Sequence, residues 1–296
     1  MNKFWTLPFI FAIASAQVEL KVVATDHSGN PVTDLQPSDL RLTDDGSHEP
    51  ITSLRLIQSA APPTVIVLLD LMDLNFQQRG AASNQVRQSL SGLPASTPLH
   101  LYLLTESGGI YPVKDVGRDL DEALQKVNQL RPQDIRVDPV EHFKATYAAL
   151  ESAGQEAERF PGPKQLLWIT FGIRSSIRTA GGWVDLSSRL RQLAAEFNRA
   201  GISIYTLDPG LTLGTLSRDG LEVLAAGTGG RAFSSSDLKM ALKQMETDAS
   251  ATYLLDYGPP DAPKAPGALH TVRLSCTRKG VKIRSQEVYV TAAAAR

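Results

Sequence analysis

Thr64-Val65-Ile66-Val67-Leu68-Leu69-Asp70 is an apolar, largely β-branched run that closes on a carboxylate. A strand buried on both faces reads this way, as a continuous hydrophobic run instead of an alternating one. Leu99–Leu104, Leu166–Ile169 and Ile202–Leu207 repeat the pattern further along. Helical periodicity lies between them. Leu186, Leu190, Leu193, Ala194 and Phe197 fall on one face of a helix over Asp185–Asn198. Asp138-Pro139 offers a cap followed by a proline at the first turn, leading into Val140, Phe143, Tyr147 and Leu150. Leu120, Leu124, Val127 and Leu130 give another stripe. Strands alternating with helices imply βαβ units, hence a doubly wound, mostly parallel α/β sheet with helices on both faces. Asp70 then sits at a strand's C-terminal end, where open α/β sheets hold their ligands.

The flanks have a different rhythm. Val18, Leu20 and Val22 alternate with polar residues, Leu40-Arg41-Leu42 is a short strand, and Asp44-Asp45-Gly46 makes a tight turn before a strand over 51–56. Thr252–Tyr257, His270–Thr277 and Val281–Val290 read as strands near the other end. Three strands alone make a poor core. The simplest assembly pairs the two ends of the chain into antiparallel β structure, with the α/β unit inserted. The expected division is a signal peptide over 1–16, an N-terminal β segment over 17–59, the α/β domain over 64–248, and a C-terminal β segment over 251–291 that packs with the N-terminal one. Ala60-Ala61-Pro62-Pro63 reads as a linker.

Met1-Asn2-Lys3, the apolar Phe4–Ile13 and Ala14-Ser15-Ala16 form the n-region, h-region and A-x-A cleavage signal of a secretory leader. The expected product is exported, periplasmic or secreted, with no membrane insertion after cleavage. Loss of Lys3 leaves 29 basic against 31 acidic residues. That balance argues against nucleic acid, which wants a basic face. The single cysteine, Cys276, cannot form an internal disulfide; Val272, Leu274 and Cys276 alternate, so it reads as a small buried apolar residue. No phosphate-binding glycine motif follows any strand, so nucleotide binding has no support.

Several segments together resemble the von Willebrand factor type A (vWA) family, and specifically the vWA-related proteins of Acidobacteria. Val32-Thr33-Asp34-Leu35 with Ser38-Asp39-Leu40 and Asp44-Asp45-Gly46 resembles that family's opening β segment. Asn198–Asp208 resembles its late helix–strand junction. Leu224–Phe233, containing Thr228-Gly229-Gly230, resembles the turn before its last core strand. Tyr253–Tyr257 and His270–Leu274 resemble its closing strands. The resemblance implies a Rossmann-like sheet with a ligand edge.

Many vWA domains hold Mg²⁺ or Mn²⁺ at that edge through D-x-S-x-S, a later Thr and a further Asp. Against that pattern Asp70 and Thr146 match, whereas Met72, Leu74 and Phe171 stand where two Ser and an Asp belong. Thioether and hydrocarbon offer nothing to a hard cation. The expectation is a degenerate site, no confident metal and no cofactor. One alternative is that a kink after Asp70 turns Asp73 and Asn75 inward to rescue weak divalent cation binding.

The histidines carry no catalytic spacing. His27 and His48 sit in turns and His270 begins a strand, all read as solvated, and Asp44-Asp45 is read as turn chemistry. The segment from Gly172 to Trp183 should hang over the ligand edge with Arg174, Arg178 and Trp183, residue types favoured at binding hot spots. Trp183 equally suits a hydrophobic staple on the helix that follows. Asp208 also falls at the ligand edge. The expected function is non-enzymatic recognition of a protein or surface ligand through these edge loops. A metal-dependent adhesion module and an enzyme of unrecognised type are the alternatives.

Overall fold

A computed structural model describes residues 17–57, 62–72, 74, 76–90, 97–105, 109–114, 119–129, 138–207, 218–233, 237–258, 265 and 267–291. Residues 1–16, read above as a leader, and Asp73, Asn75 and Asp208 lie outside the described residues. The chain opens with β1 (Val18–Asp26), β2 (Leu40–Asp44), β3 (Ser47–Glu49) and β4 (Ile51–Leu56). The α/β unit follows as β5 (Thr64–Asp70), α1 (Phe76–Leu90), β6 (Leu99–Leu104), β7 (Ile110–Val113), α2 (Leu120–Gln129), α3 (Pro139–Ala157), β8 (Lys164–Ile169), β9 (Ser176–Thr179), β10 (Gly182–Asp185), α4 (Ser187–Arg199), β11 (Ile202–Leu207), α5 (Arg218–Gly227), β12 (Arg231–Ala232) and α6 (Leu238–Ser250). It closes with β13 (Thr252–Tyr257), β14 (Leu269–Cys276), β15 (Val281–Ser285) and β16 (Val288–Val290).

The large sheet runs β12-β11-β8-β5-β6-β7, parallel except for β7. In order of appearance this is the doubly wound sequence 6-5-4-1-2-3, which reverses between β5 and β8. Alternate side chains of each strand enter different cores. Ile66, Leu68, Leu166, Trp168 and Ile204 pack with residues of α3, α4 and α5. Val67, Leu69, Leu101, Leu167 and Leu207 pack with α1 and α6. Every residue of β5 is buried, as the opening run requires. The antiparallel edge strand β7 was not anticipated; it contains Pro112, which a sheet tolerates at an edge because no ladder hydrogen bond is lost there.

The chain ends form two four-stranded antiparallel sheets, β15-β1-β13-β4 and β16-β14-β2-β3, that share a third core of Leu20, Val22, Leu42, Leu255, Tyr257 and Val272. Val18 pairs with Tyr257 and Val22 with Tyr253. A polar seam joins this sandwich to the α/β unit. Asn198 Nδ2 donates to the Gly227 and Val288 carbonyls at 2.8 and 2.7 Å. Gln286 bridges Asn198 Oδ1 and the Lys21 backbone, and Lys21 Nζ reaches Gly201 O at 2.6 Å. Arg284 pairs with the fully buried Asp248 of α6 at 2.6 Å. At the Thr228-Gly229-Gly230 turn, Thr228 Oγ1 accepts from Ile204 N at 2.9 Å. A Cβ on Gly230 would lie 1.8 Å from Ile204 O, so only glycine lets the turn approach β11 so closely.

Two readings of the flanks are corrected. His270 is not solvated: it is 1% exposed, and Asp44 beside it is fully buried. Asp44 ends β2 under Tyr257 and Tyr289, so it does more than shape the turn. The reason is strand parity, since His270 shares the inward face of Val272. Cys276 lies on that face too but near the strand's end, and is half-buried instead of fully enclosed.

Candidate ligand edge of the parallel sheet

The reversal in strand order places the tips of β5 and β8 side by side, and the side chains there meet. Asp70, the last residue of β5, is buried. Its Oδ2 accepts from Thr170 Oγ1 at 2.8 Å, and its Oδ1 accepts from Met72 N at 3.0 Å. Thr170 Oγ1 in turn accepts from Gly172 N at 3.1 Å, so the carboxylate fixes both strand tips. Among the described residues Asp70 thus serves as a backbone-ordering acceptor, the turn chemistry expected of Asp after a strand.

Thr146 projects from α3 and is fully buried. Its hydroxyl meets Met72 Sδ at 3.9 Å, a weak contact with a soft acceptor. Met72 and Leu74 are both buried, and Phe171 is half-buried against the core of α1 and α6. The described residues therefore do not fit a hard divalent cation. The Asp70 oxygens are engaged by protein donors, the Thr146 hydroxyl faces sulfur, and the remaining positions are apolar.

A buried arginine that the sequence reading missed holds this loop. Arg79, in the first turn of α1, donates from Nε to Leu74 O at 3.0 Å and from Nη2 to Leu71 O at 2.7 Å. Its guanidinium fork spans two carbonyls of the segment after Asp70. No local signal flags it, because an arginine among Gln77, Gln78 and Gly80 reads as solvated.

The segment after β8 is a hairpin. β9 and β10 pair antiparallel with Arg178 opposite Trp183 and Ile177 opposite Val184. Ile177 and Ile173 are buried in the core beside α3 and root the hairpin. Ser175 N and Oγ both donate to Asp219 Oδ2. Trp183 is 70% exposed, and Arg174 and Arg178 are exposed too. The staple reading of Trp183 fails because Leu186 is the apolar residue buried at the start of α4. Directly opposed residues of an antiparallel pair share a face, so the hairpin brings Arg178 and Trp183 together. Arg174 precedes it, and Asp208 falls outside the described residues.

Strand order and the position of this edge define a doubly wound α/β domain with its crevice at the tips of β5 and β8. No family model matches the chain, and no curated protein matches it in sequence. Solved structures similar to it include proximal thread matrix protein 1 of the mussel byssus, at 10% identity and a TM-score of 0.39 over 67% of this chain and 49% of that one. The von Willebrand factor domain of the type V pili tip protein Mfa5 from Porphyromonas gingivalis is 11% identical, with a TM-score of 0.41 over 64% of this chain and 95% of that one. VWA2, an ArnB paralog from Sulfolobus acidocaldarius, is 10% identical, with a TM-score of 0.40 over 93% of this chain and 76% of that one. This chain spans only 48% and 49% of proximal thread matrix protein 1 in its two crystal forms, and 44% of the similar human COPII-coat protein Sec24c. The fold rests on the strand order itself. No helix among the described residues is long and apolar enough to cross a membrane.

Proposed function

We propose that this chain is an exported, non-enzymatic binding module that grips a protein or surface ligand through the loops at the C-terminal edge of its parallel sheet, without a cation. The observation that carries this reading is the β9–β10 hairpin. It is rooted by buried Ile173 and Ile177 yet leaves Trp183 70% exposed across from Arg178. A large aromatic beside a guanidinium on a fixed backbone is a side-chain pair that anchors protein interfaces, because the ring buries much contact area for little lost freedom and the guanidinium adds directed hydrogen bonds. Met72, Leu74 and the engaged Asp70 favour contact surface over metal clasp at the same edge. The buried carboxylate at the strand tips, Asp70, is committed to Thr170 and to the Met72 backbone, and buried Arg79 to two carbonyls, which disfavours an enzyme.

The test is capture of partners from envelope and extracellular extracts on immobilised protein, with Arg174→Ala/Arg178→Ala/Trp183→Ala as comparison. The expected result is a band or bands retained by the wild type and lost, or weakened at least about tenfold, in the triple variant. Equal capture by both proteins removes this hairpin as the site.

A further inference from the structure

Asp44 and Asp45, neighbours at the end of β2, meet His270 in the β sandwich from more than two hundred residues away along the chain. Asp45 Oδ2 lies 2.9 Å and Asp44 Oδ1 3.4 Å from His270 Nδ1. The three ligand atoms all lie within 4.8 Å of one another, the one such grouping of His, Cys, Asp and Glu among the described residues. Each carboxylate spends its other oxygen on the protein. Tyr289 and Tyr257 hydroxyls donate to Asp44 Oδ2 at 2.6 and 3.0 Å, and Thr271 N donates to Asp45 Oδ1 at 3.1 Å. Asp45 is held in the left-handed region at φ 49°, the only described residue other than glycine with positive φ. The His270 ring is stacked on Tyr289 at 4.6 Å between centroids.

Asp44 Oδ1 and both ring nitrogens of His270 are buried and make no hydrogen bond of acceptable geometry. Asp45 Oδ2 thus stands close to Nδ1 without forming a hydrogen bond to it. Close approach of ligand atoms without a hydrogen bond between them is what groups sharing one ion show. With bonds of about 2.1 Å, neighbouring ligand atoms stand about 3.0 Å apart at right angles and about 3.4 Å apart at the tetrahedral angle. The observed spacings match those two edges. Two carboxylates and a neutral imidazole also balance the charge of one divalent cation.

We infer that Asp44, Asp45 and His270 form a structural site for a divalent transition ion of the Zn²⁺ class, which ties the N-terminal β segment to the C-terminal one. Mixed imidazole and carboxylate ligation favours this class over Ca²⁺ or Mg²⁺. Tyr257, Tyr289 and Thr271 are the positioning groups that aim the ligand oxygens. Asp45, on the solvent side, leaves a fourth position for water. The chain has one cysteine and can close no internal disulfide, so an ion here would cross-link ends separated by more than two hundred residues. This site is independent of the hairpin at the ligand edge.

The test is titration of Zn²⁺ into chelator-stripped full-length protein by calorimetry, alongside thermal unfolding with Zn²⁺ and with EDTA. The wild type should bind one ion per chain, and saturating Zn²⁺ should raise Tm by about 5–10 °C. Asp45→Asn and His270→Gln should each weaken binding at least about 100-fold, while Asp70→Asn leaves it unchanged. Asp45 lies on an exposed turn, so its variant keeps the comparison valid if His270→Gln unfolds. Absence of stoichiometric binding by the wild type overturns the site. Zn²⁺ binding that persists at full affinity in Asp45→Asn overturns it as well. A Tm that follows pH but ignores both Zn²⁺ and EDTA would show a carboxylate–imidazolium pair instead.

Discussion

Asp70 and Thr170, a hundred residues apart, meet at 2.8 Å across the tips of β5 and β8, where the strand order reverses. This bond occupies the crevice that a doubly wound sheet reserves for ligands. It makes the carboxylate a structural acceptor. Removing its donor deletes one hydrogen bond of a buried carboxylate. Thr170→Val should therefore destabilise the protein by about 1–3 kcal/mol, and Thr170→Ser by distinctly less, in urea unfolding at unchanged m. Equal losses for the two variants would mean that the hydroxyl contributes nothing.

Met72 touches both matching positions: its backbone N–H donates to Asp70 Oδ1, and its sulfur meets the Thr146 hydroxyl. Met72→Ser adds a hydroxyl where a hard cation would want one, but leaves Leu74 apolar and Phe171 in place. The variant should lose about 2–4 kcal/mol of stability from the vacated volume and give no heat on titration with Mg²⁺ or Mn²⁺. Saturable heat would show that the thioether alone keeps cations out.

Arg79 is the internal cation of this edge. Its bonds to Leu71 O and Leu74 O shape the segment after Asp70. Arg79→Met keeps the apolar stem and removes the fork. The expected cost is about 2–4 kcal/mol in thermal or urea unfolding, with faster amide exchange over residues 71–74. Arg79→Lys should recover less than half of that loss, since a point charge cannot span both carbonyls. Full recovery by lysine would show that charge alone suffices.

Lys21 sits in the seam between sandwich and α/β unit, where burial, with Lys164 adding repulsion, pulls its ammonium from 10.5 down to about 8. A base with a depressed folded pKa carries its penalty in full below that value. Between about pH 8 and 10.5 the unfolded chain holds more protons than the folded one, so stability rises with pH across that window. The stability of wild type relative to Lys21→Met should accordingly increase by up to about 3 kcal/mol from pH 7 to pH 10.5. Lysines and tyrosines other than the coupled Lys164 titrate alike in both proteins and cancel. A difference that stays flat with pH would refute the buried-ammonium account.

The sequence by itself determined the scaffold. The solid apolar runs of β5, β6, β8 and β11 admit no solvated face, and the Asp138-Pro139 start and the Leu190–Phe197 stripe each specify a helix through local capping and period. It also gave Met72, Leu74 and Phe171 as side chains without oxygen, since that follows from residue chemistry alone. The hairpin escaped notice because Ser176–Asp185 is too short and too mixed to show alternation, and only pairing reveals that Arg178 faces Trp183. The role of Arg79 escaped because its partners are backbone carbonyls, which carry no sequence signal. His270 had a readable signal in its parity with Val272, but its meaning depends on Asp44 and Asp45, which arrive from the opposite end of the chain. Tertiary structure alone decided these points, because burial and polar partnership are set by contacts between distant segments, whereas period and side-chain chemistry are local.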